Sequence, residues 1–443
     1  MQSIIVVGAS LAGLRAVETL RGDGFDGRLV VVGAEERLPY DRPPLSKDVL
    51  AGKRDPESIQ LGDEALYEKL EIDWRLGRSA TALYTTARSV ELDDGERITF
   101  DGLVIATGAS PRSLPGTPDM EGIHVLRTLD DCLAIRKALD ASPRVAIVGA
   151  GFIGSEVAAT CRGLGLDVAL IEALPVPLAT ALGAEMGAAL SQIHRDNGVD
   201  LRCGVGVDAF EGGKRVERIR LADGSSVDAD LVVVGVGVAP ATGWLEGSGL
   251  DVSNGVICDE TCSTLVPGIV AAGDVALWYN PLFGELMRVE HWTNEVDQGV
   301  AAAHRLLVGD GPQDAAPEHR REARRAVAVR DGEDGGAQGR GGAEPEPRAQ
   351  RREEEPAEQD LLDDRREDDR VEELERQDRR APPREVAVPP LRPVRRKIER
   401  AGGPAERPFA RLPRREQGQQ HGSERDHGAP SRHEAQPGAE AEP

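Results

Sequence analysis

RVAIVGAGFIGSEVAATC, Arg144 to Cys161, decides the fold. Four apolar residues, Val145 to Val148, run without a polar break, as a strand buried on both faces requires. Gly149, Gly151 and Gly154 follow at G-x-G-x-x-G spacing, and an amphipathic helix follows them. That order lets backbone approach a pyrophosphate while the free N–H groups of a helix start face it. A second apolar strand, DVALIE, ends at Glu172, placed to accept ribose hydroxyls. An acid there repels a 2′-phosphate, so NADH is favoured over NADPH. The pyridine-nucleotide candidates are therefore Gly149, Gly151, Phe152, Ile153, Gly154, Glu172 and Gly237, the last closing a later buried strand.

Working outward, the same plan occurs earlier. SIIVVGASLAGLRAVETL carries Gly8-Ala9-Ser10-Leu11-Ala12-Gly13, with serine at the middle glycine position. Serine is small, and its hydroxyl can itself bond a phosphate oxygen. The strand RLVVVGAE then ends at Glu35, the expected ribose acid, with Glu36 as its rival. Each pass closes alike. ELDDGERITFDGLVIATG turns at Asp94-Gly95 and ends a buried strand at Ala106-Thr107-Gly108; RLADGSSVDADLVVVGVG turns at Asp223-Gly224 and ends at Gly237. Asp-Gly suits the positive φ angles of a tight hairpin. A whole domain is duplicated, and two dinucleotides are expected.

Composition narrows the class. With 54 Lys and Arg against 77 Asp and Glu, the formal charge is −23, which argues against nucleic acid or an anionic membrane as partner. The start, MQSIIVVGAS, shows no signal-peptide pattern, and no apolar run reaches the roughly 20 residues that span a bilayer. Five scattered cysteines suit free thiols in a reducing cytoplasm.

Taken together, several segments resemble the FAD-dependent, NADH-dependent ferredoxin reductases, which belong to the pyridine nucleotide-disulfide oxidoreductase superfamily but lack the redox disulfide. They are the Ser10-variant turn, DRPPLSK, VIATGASPR, LRTLDD, GAGFIGSE, IVAAGDVA and VEHWTNEVDQG, spread between about Ser3 and Gly309. The resemblance implies FAD and NAD(H) as cofactors and a two-iron ferredoxin as acceptor, feeding an oxygenase. It implies that FAD contacts Gly8, Ser10, Leu11, Ala12, Gly13, Glu35, Arg42, Lys47, Ala106, Thr107, Gly108, Arg127, Gly273, Asp274 and Trp292. Asp274 would bond the FAD ribitol; capping a following helix is its structural alternative. Arg42 would lie by the diphosphate. Trp292 would sit at a helix start facing the flavin; plain core is its alternative. Lys47 and Glu156 would form the catalytic pair beside the flavin and the nicotinamide, in a partly dry site where losing one partner costs about 3–5 kcal/mol.

The expected architecture is α/β: two Rossmann-like (three-layer) dinucleotide-binding domains and a disordered tail. Residues 1–113 and 245–313 form the FAD-binding domain and 114–244 the NAD-binding domain, in a monomer or weak dimer. Cys258 and Cys262, the nearest cysteine pair, read as structural residues on one strand. From Asp314 the chain holds one aromatic residue, Phe409, one lysine, Lys397, and much Arg, Glu, Pro, Gly and Ala. Such a segment buries too little apolar area to offset its backbone entropy. It reads as a disordered extension or the product of a frame change, standing where the family has a third domain. The rival functions are an NADH oxidase or dehydrogenase using quinone or oxygen, and a non-catalytic scaffold with an acidic interaction tail.

Overall fold

The computed structural model describes residues 1–309, so the expectations for the tail lie outside the described residues. Two five-stranded parallel sheets organise the chain. The first has the order Ile269–Ala271, Gly102–Ile105, Ser3–Val7, Arg28–Gly33, Ile72–Leu76. The second has the order Asp200–Cys203, Val168–Glu172, Val145–Val148, Leu231–Val234, Ile123–Val125. In both, the strand carrying the glycine turn is central, flanked by the strand after its helix and the strand after its hairpin.

Each sheet is the middle of three layers. On one face of the first, Ile4, Val6, Leu29 and Val31 pack against Leu14, Val17 and Leu20 of the helix Leu11–Gly22 and Ala302, Ala303 and Leu306 of the helix Trp292–Val308. On the other, Ile5, Val7, Val30 and Val32 meet Leu83, Val90, Leu92 and Ile98 of a three-stranded antiparallel sheet. The second sheet repeats this. Val145, Ile147 and Leu170 face Val157 and Cys161 of the helix Phe152–Gly163, and Ala146, Val148 and Ile171 face Ile219, Leu221 and Val227 of another antiparallel sheet. Burial on both faces is why these strands read as unbroken apolar runs. The Asp-Gly hairpins lie in the antiparallel layers, with φ of 85° at Gly95 and 84° at Gly224.

One packing relation cuts across the order of the chain. Tyr40, Leu45, Val49, Leu50 and Ile59 belong to the core of the second sheet, with Cys132, Ile135, Val157 and Ala158. The DRPPLSKDVL segment therefore docks onto the second nucleotide-binding unit, although it follows the second strand of the first. The expectation that Cys258 and Cys262 share a strand is corrected. The strand Val256–Cys258 ends there, and the Asp259 side chain turns the chain by accepting from the N–H groups of Thr261 (2.9 Å) and Ser263 (3.0 Å), leaving Cys262 at φ 66°.

Candidate functional site

Both glycine turns are sterically obligatory. A methyl group on Gly8, at φ 126°, would lie 2.0 Å from the Ala106 carbonyl oxygen, and one on Gly13 would lie 2.0 Å from that of Gly8. In the second turn, a methyl on Gly149, at φ 99°, would lie 2.3 Å from the Gly235 oxygen, and one on Gly154 would lie 2.0 Å from the Gly149 oxygen. These contacts hold strand, turn and helix together. Gly151 differs: nothing lies within 4 Å of its missing Cβ, so its side is open. The helices start at Leu11 and Phe152, and neither Ser10 nor Gly151 caps them with a side chain. Their first-turn N–H groups lack intrahelical acceptors and are the anion-seeking ends of both cradles.

At the first cradle a cavity of about 290 Å³ opens, lined among others by Ser10, Glu35, Arg42, Arg127, Asp274 and Glu295. Ala12, Ala106, Thr107, Gly108 and Gly273 complete much of its wall. The Glu35 carboxylate takes the Arg42 guanidinium at 2.7 Å on one oxygen and the Tyr40 hydroxyl at 2.6 Å on the other. Arg42 also donates to the Arg127 carbonyl at 2.8 Å and to Ser10 Oγ at 3.4 Å, so it lies across the turn where a phosphate would approach. Glu36 is exposed and does not line the cavity. Leu11 is buried in the first helical turn, which leaves only its backbone to face a ligand.

Asp274 is 5% exposed. Its Oδ2 accepts from Arg127 at 3.2 Å, whereas its buried Oδ1 has no hydrogen-bond partner among the described residues. A buried unpaired acceptor costs about 1–3 kcal/mol, and a ligand hydroxyl would repay it. The helix-cap alternative for Asp274 fails. Its turn, Gly273–Val275, runs into the strand Ala276–Asn280, and the helix Trp292–Val308 is capped instead by His291. Arg127 precedes a helix capped by Thr128, and its guanidinium reaches Asp274.

Trp292 is not core: it stands 43% exposed at the first position of its helix and does not line the cavity. The same helix sends two residues inward that the sequence reading passed over. Glu295 lines the cavity, where burial foremost, and then the Asp274 carboxylate, push its carboxyl up to about 7. Gln298, 6% exposed, accepts from the Gly273 N–H at 2.9 Å and so fixes the turn that presents Asp274. Helix periodicity alone would have put both on the inward stripe.

Lys47 and Glu156 meet. Lys47 Nζ lies 2.6 Å from Glu156 Oε2 and donates to the Pro43 carbonyl at 3.1 Å. Ser46 Oγ donates to the same carboxylate oxygen at 2.5 Å, and Thr160 Oγ1 donates to the Ser46 carbonyl at 2.7 Å. The turn Pro43–Ser46 is thus latched to the helix Phe152–Gly163. The pair is only partly buried, with side chains 46% and 31% exposed, and so lies at the wet end of the partly dry setting expected for it. The buried members of this segment are its apolar residues, and the ammonium group at its end stays wet.

At the second cradle, Glu172 accepts from the N–H groups of Ala150 at 2.7 Å and Leu174 at 2.8 Å, which holds its carboxylate at the cradle edge. Phe152 and Ile153 stand exposed at the helix start. Gly237, at φ 93°, leads into the strand Val238–Pro240, which pairs with Ala109–Pro111 and ties the ends of the two corresponding buried strands together.

Two dinucleotide cradles with unpaired helix starts, and beside the first a cavity with an unsatisfied buried carboxylate oxygen, define an oxidoreductase that works with two nucleotide cofactors. The chain belongs to the pyridine nucleotide-disulphide oxidoreductase family, whose pattern matches residues 2–299. It is an FAD-dependent enzyme of that family, with FAD and NAD(H) as cofactors. The ferredoxin–NAD(+) reductase component of the anthranilate 1,2-dioxygenase system of Burkholderia cepacia is 38% identical over 307 residues, covering 69% of this chain and 76% of that protein. Rhodocoxin reductase of Rhodococcus erythropolis is 37% identical, over 69% of this chain and 72% of its own length. The crystal structure of a covalent putidaredoxin reductase–putidaredoxin complex superposes with a TM-score of 0.67 at 34% identity, over 69% of this chain and 75% of that one.

The disulphide of the family description has no counterpart among the five cysteines, all of them free. Burial pushes the Cys161 and Cys262 thiols up to about 12 and that of Cys258 well above its usual value. Thiols so held are poor thiolates and poor redox nucleophiles. No helix among the described residues is long and apolar enough to cross a membrane.

Proposed function

We propose that this chain passes electrons from NADH through FAD to a two-iron ferredoxin that feeds an oxygenase. The observation that carries the reading is the pairing of two sterically locked cradles, one of which opens onto the unsatisfied Asp274 carboxylate oxygen. The names of the relatives support the acceptor, since they are reductase components of dioxygenase systems. When bound, the flavin supplies the chemistry: it accepts a hydride from the nicotinamide and releases electrons singly.

The chain's own residues then bind and orient. Gly8, Ser10, Gly13 and the helix start at Leu11 hold the FAD pyrophosphate, with Arg42, itself paired to Glu35, lying across the turn beside it. Asp274 and Glu35 accept from sugar and ribityl hydroxyls. Gly149, Gly151 and Gly154 hold the NADH pyrophosphate, and Glu172 accepts the ribose hydroxyls and disfavours a 2′-phosphate. Lys47 and Glu156 stand where the docked Pro43–Ser46 turn meets the NAD-side helix, and they set the local charge by the reacting rings. The protein works in the cytoplasm as a monomer or weak dimer. Anaerobic titration with NADH, followed by flavin absorbance, tests the first half: stoichiometric bleaching is expected, and none would refute it. Turnover with a purified two-iron ferredoxin, compared with a quinone and with oxygen, tests the acceptor; faster reduction of quinone would overturn it.

A further inference from the structure

Glu295 has no role in the reading above, yet its carboxyl lines the FAD cavity together with those of Glu35, Asp131 and Asp274. It sits in the first turns of the helix Trp292–Val308 and approaches the Gly273–Val275 turn, its Cγ 3.5 Å from where a Gly273 Cβ would be. Asp274 is in that turn. The charged groups around Glu295 are otherwise committed. Arg127, before the helix Leu129–Leu139, pairs with Asp274 at 3.2 Å; Arg42 pairs with Glu35 at 2.7 Å. Arg15, on the packed helix Leu11–Gly22, pairs with Glu18. Glu295 itself forms none of the ion pairs among the described residues. Asp131, also in the lining, is engaged by the Arg127 and Thr128 N–H groups at 3.0 and 2.8 Å. Asp274 thus has a single direct cationic partner, Arg127, Glu295 has none, and Oδ1 of Asp274 has no donor among the described residues.

We propose that FAD enters this cavity together with a proton held on Glu295. Protonated, the Glu295 carboxyl is neutral and can donate its O–H to Asp274. Ionised, it adds a further, unpaired negative charge to the space that must take an anionic dinucleotide, with the Arg42 and Arg127 guanidiniums already engaged by Glu35 and Asp274. Burial and the Asp274 carboxylate keep the proton on Glu295 up to about pH 7 in the FAD-free protein. FAD raises this further by linkage, so binding above neutrality takes up a proton and weakens as pH rises. The inference rests on the cavity being the FAD site.

The test uses the full chain freed of flavin and FAD itself as probe. The dissociation constant is measured by quenching of FAD fluorescence between about pH 6 and 9. In the wild type it should rise by up to about tenfold per pH unit above neutrality. Glu295→Gln and Glu295→Ala, both uncharged, should give flat profiles. A pH indicator in weak buffer at about pH 7.5 should report proton uptake when FAD is added to the wild type, which requires no variant to fold. A flat wild-type profile, the same slope in both variants, or no proton uptake would overturn the proposal while leaving the FAD site intact. Absence of FAD binding at every pH would overturn the site assignment itself.

Discussion

The two glycines of the NAD-side turn should respond to the same methyl group in opposite ways. Gly154→Ala places its Cβ 2.0 Å from the Gly149 carbonyl oxygen and 3.3 Å from Ile147 Cγ2. Backbone cannot rotate out of the way as a side chain can, so strand and helix must part. Overpacking of this kind costs about 1–3 kcal/mol or more. Gly151→Ala meets nothing within 4 Å, and Gly151 has φ −72°, which any residue adopts. Its effect on the free protein should stay within about 1 kcal/mol. The open side of Gly151 is where the pyrophosphate must come in, however, and a methyl there holds it off the helix start. Losing one hydrogen bond to a charged phosphate is worth about 1.5–3 kcal/mol, or roughly 10- to 100-fold in NADH affinity. Thermal melts of both variants and the NADH dependence of flavin bleaching in a stopped-flow instrument measure the two effects. A Gly154→Ala protein that melts like the wild type would refute the steric argument. A folded Gly151→Ala protein that binds NADH within about twofold of wild type would refute the assignment of the cradle.

Lys47→Gln breaks a pair that is half exposed, so stability should fall by less than about 1 kcal/mol in chemical denaturation. Flavin reduction by NADH should nevertheless slow by about tenfold, equivalent to about 1.4 kcal/mol in the barrier. Arg42→Ala removes the ion pair to Glu35 and the cation over the first turn, and the ratio of flavin to protein after gel filtration should drop sharply. Glu295 also predicts how the stability of the FAD-free protein depends on pH. Its folded value of about 7 lies above the ordinary 4.5, so the folded state holds the proton more tightly than the unfolded chain. Stability from this group is therefore full below pH 4.5, falls as pH rises toward 7 and is level beyond, a total on the order of 3 kcal/mol. Urea unfolding across that range should show the decline in the wild type and lose it in Glu295→Gln.

The sequence by itself determined what is local. An apolar run followed by glycines at set spacing must become strand, turn and helix, because few other residues tolerate φ 126° at Gly8 or 99° at Gly149 against a carbonyl oxygen. Asp-Gly placed both hairpins, and doubly buried strands announced two covered parallel sheets. The tertiary structure decided what depends on distant partners. Leu45, Val49 and Leu50 read as part of the first unit but pack in the core of the second, because burial is settled by whichever apolar face is nearest in space. Lys47 and Glu156 meet across 108 intervening positions, yet they stay partly wet, since their helix and turn join at the rim. Glu295 looks like any acid in a first helical turn until the helix packs against the Gly273–Val275 turn and points it at a second carboxyl. A residue's charge is written in the chain, but the cost of that charge is set by the dielectric and the neighbours that folding assembles around it.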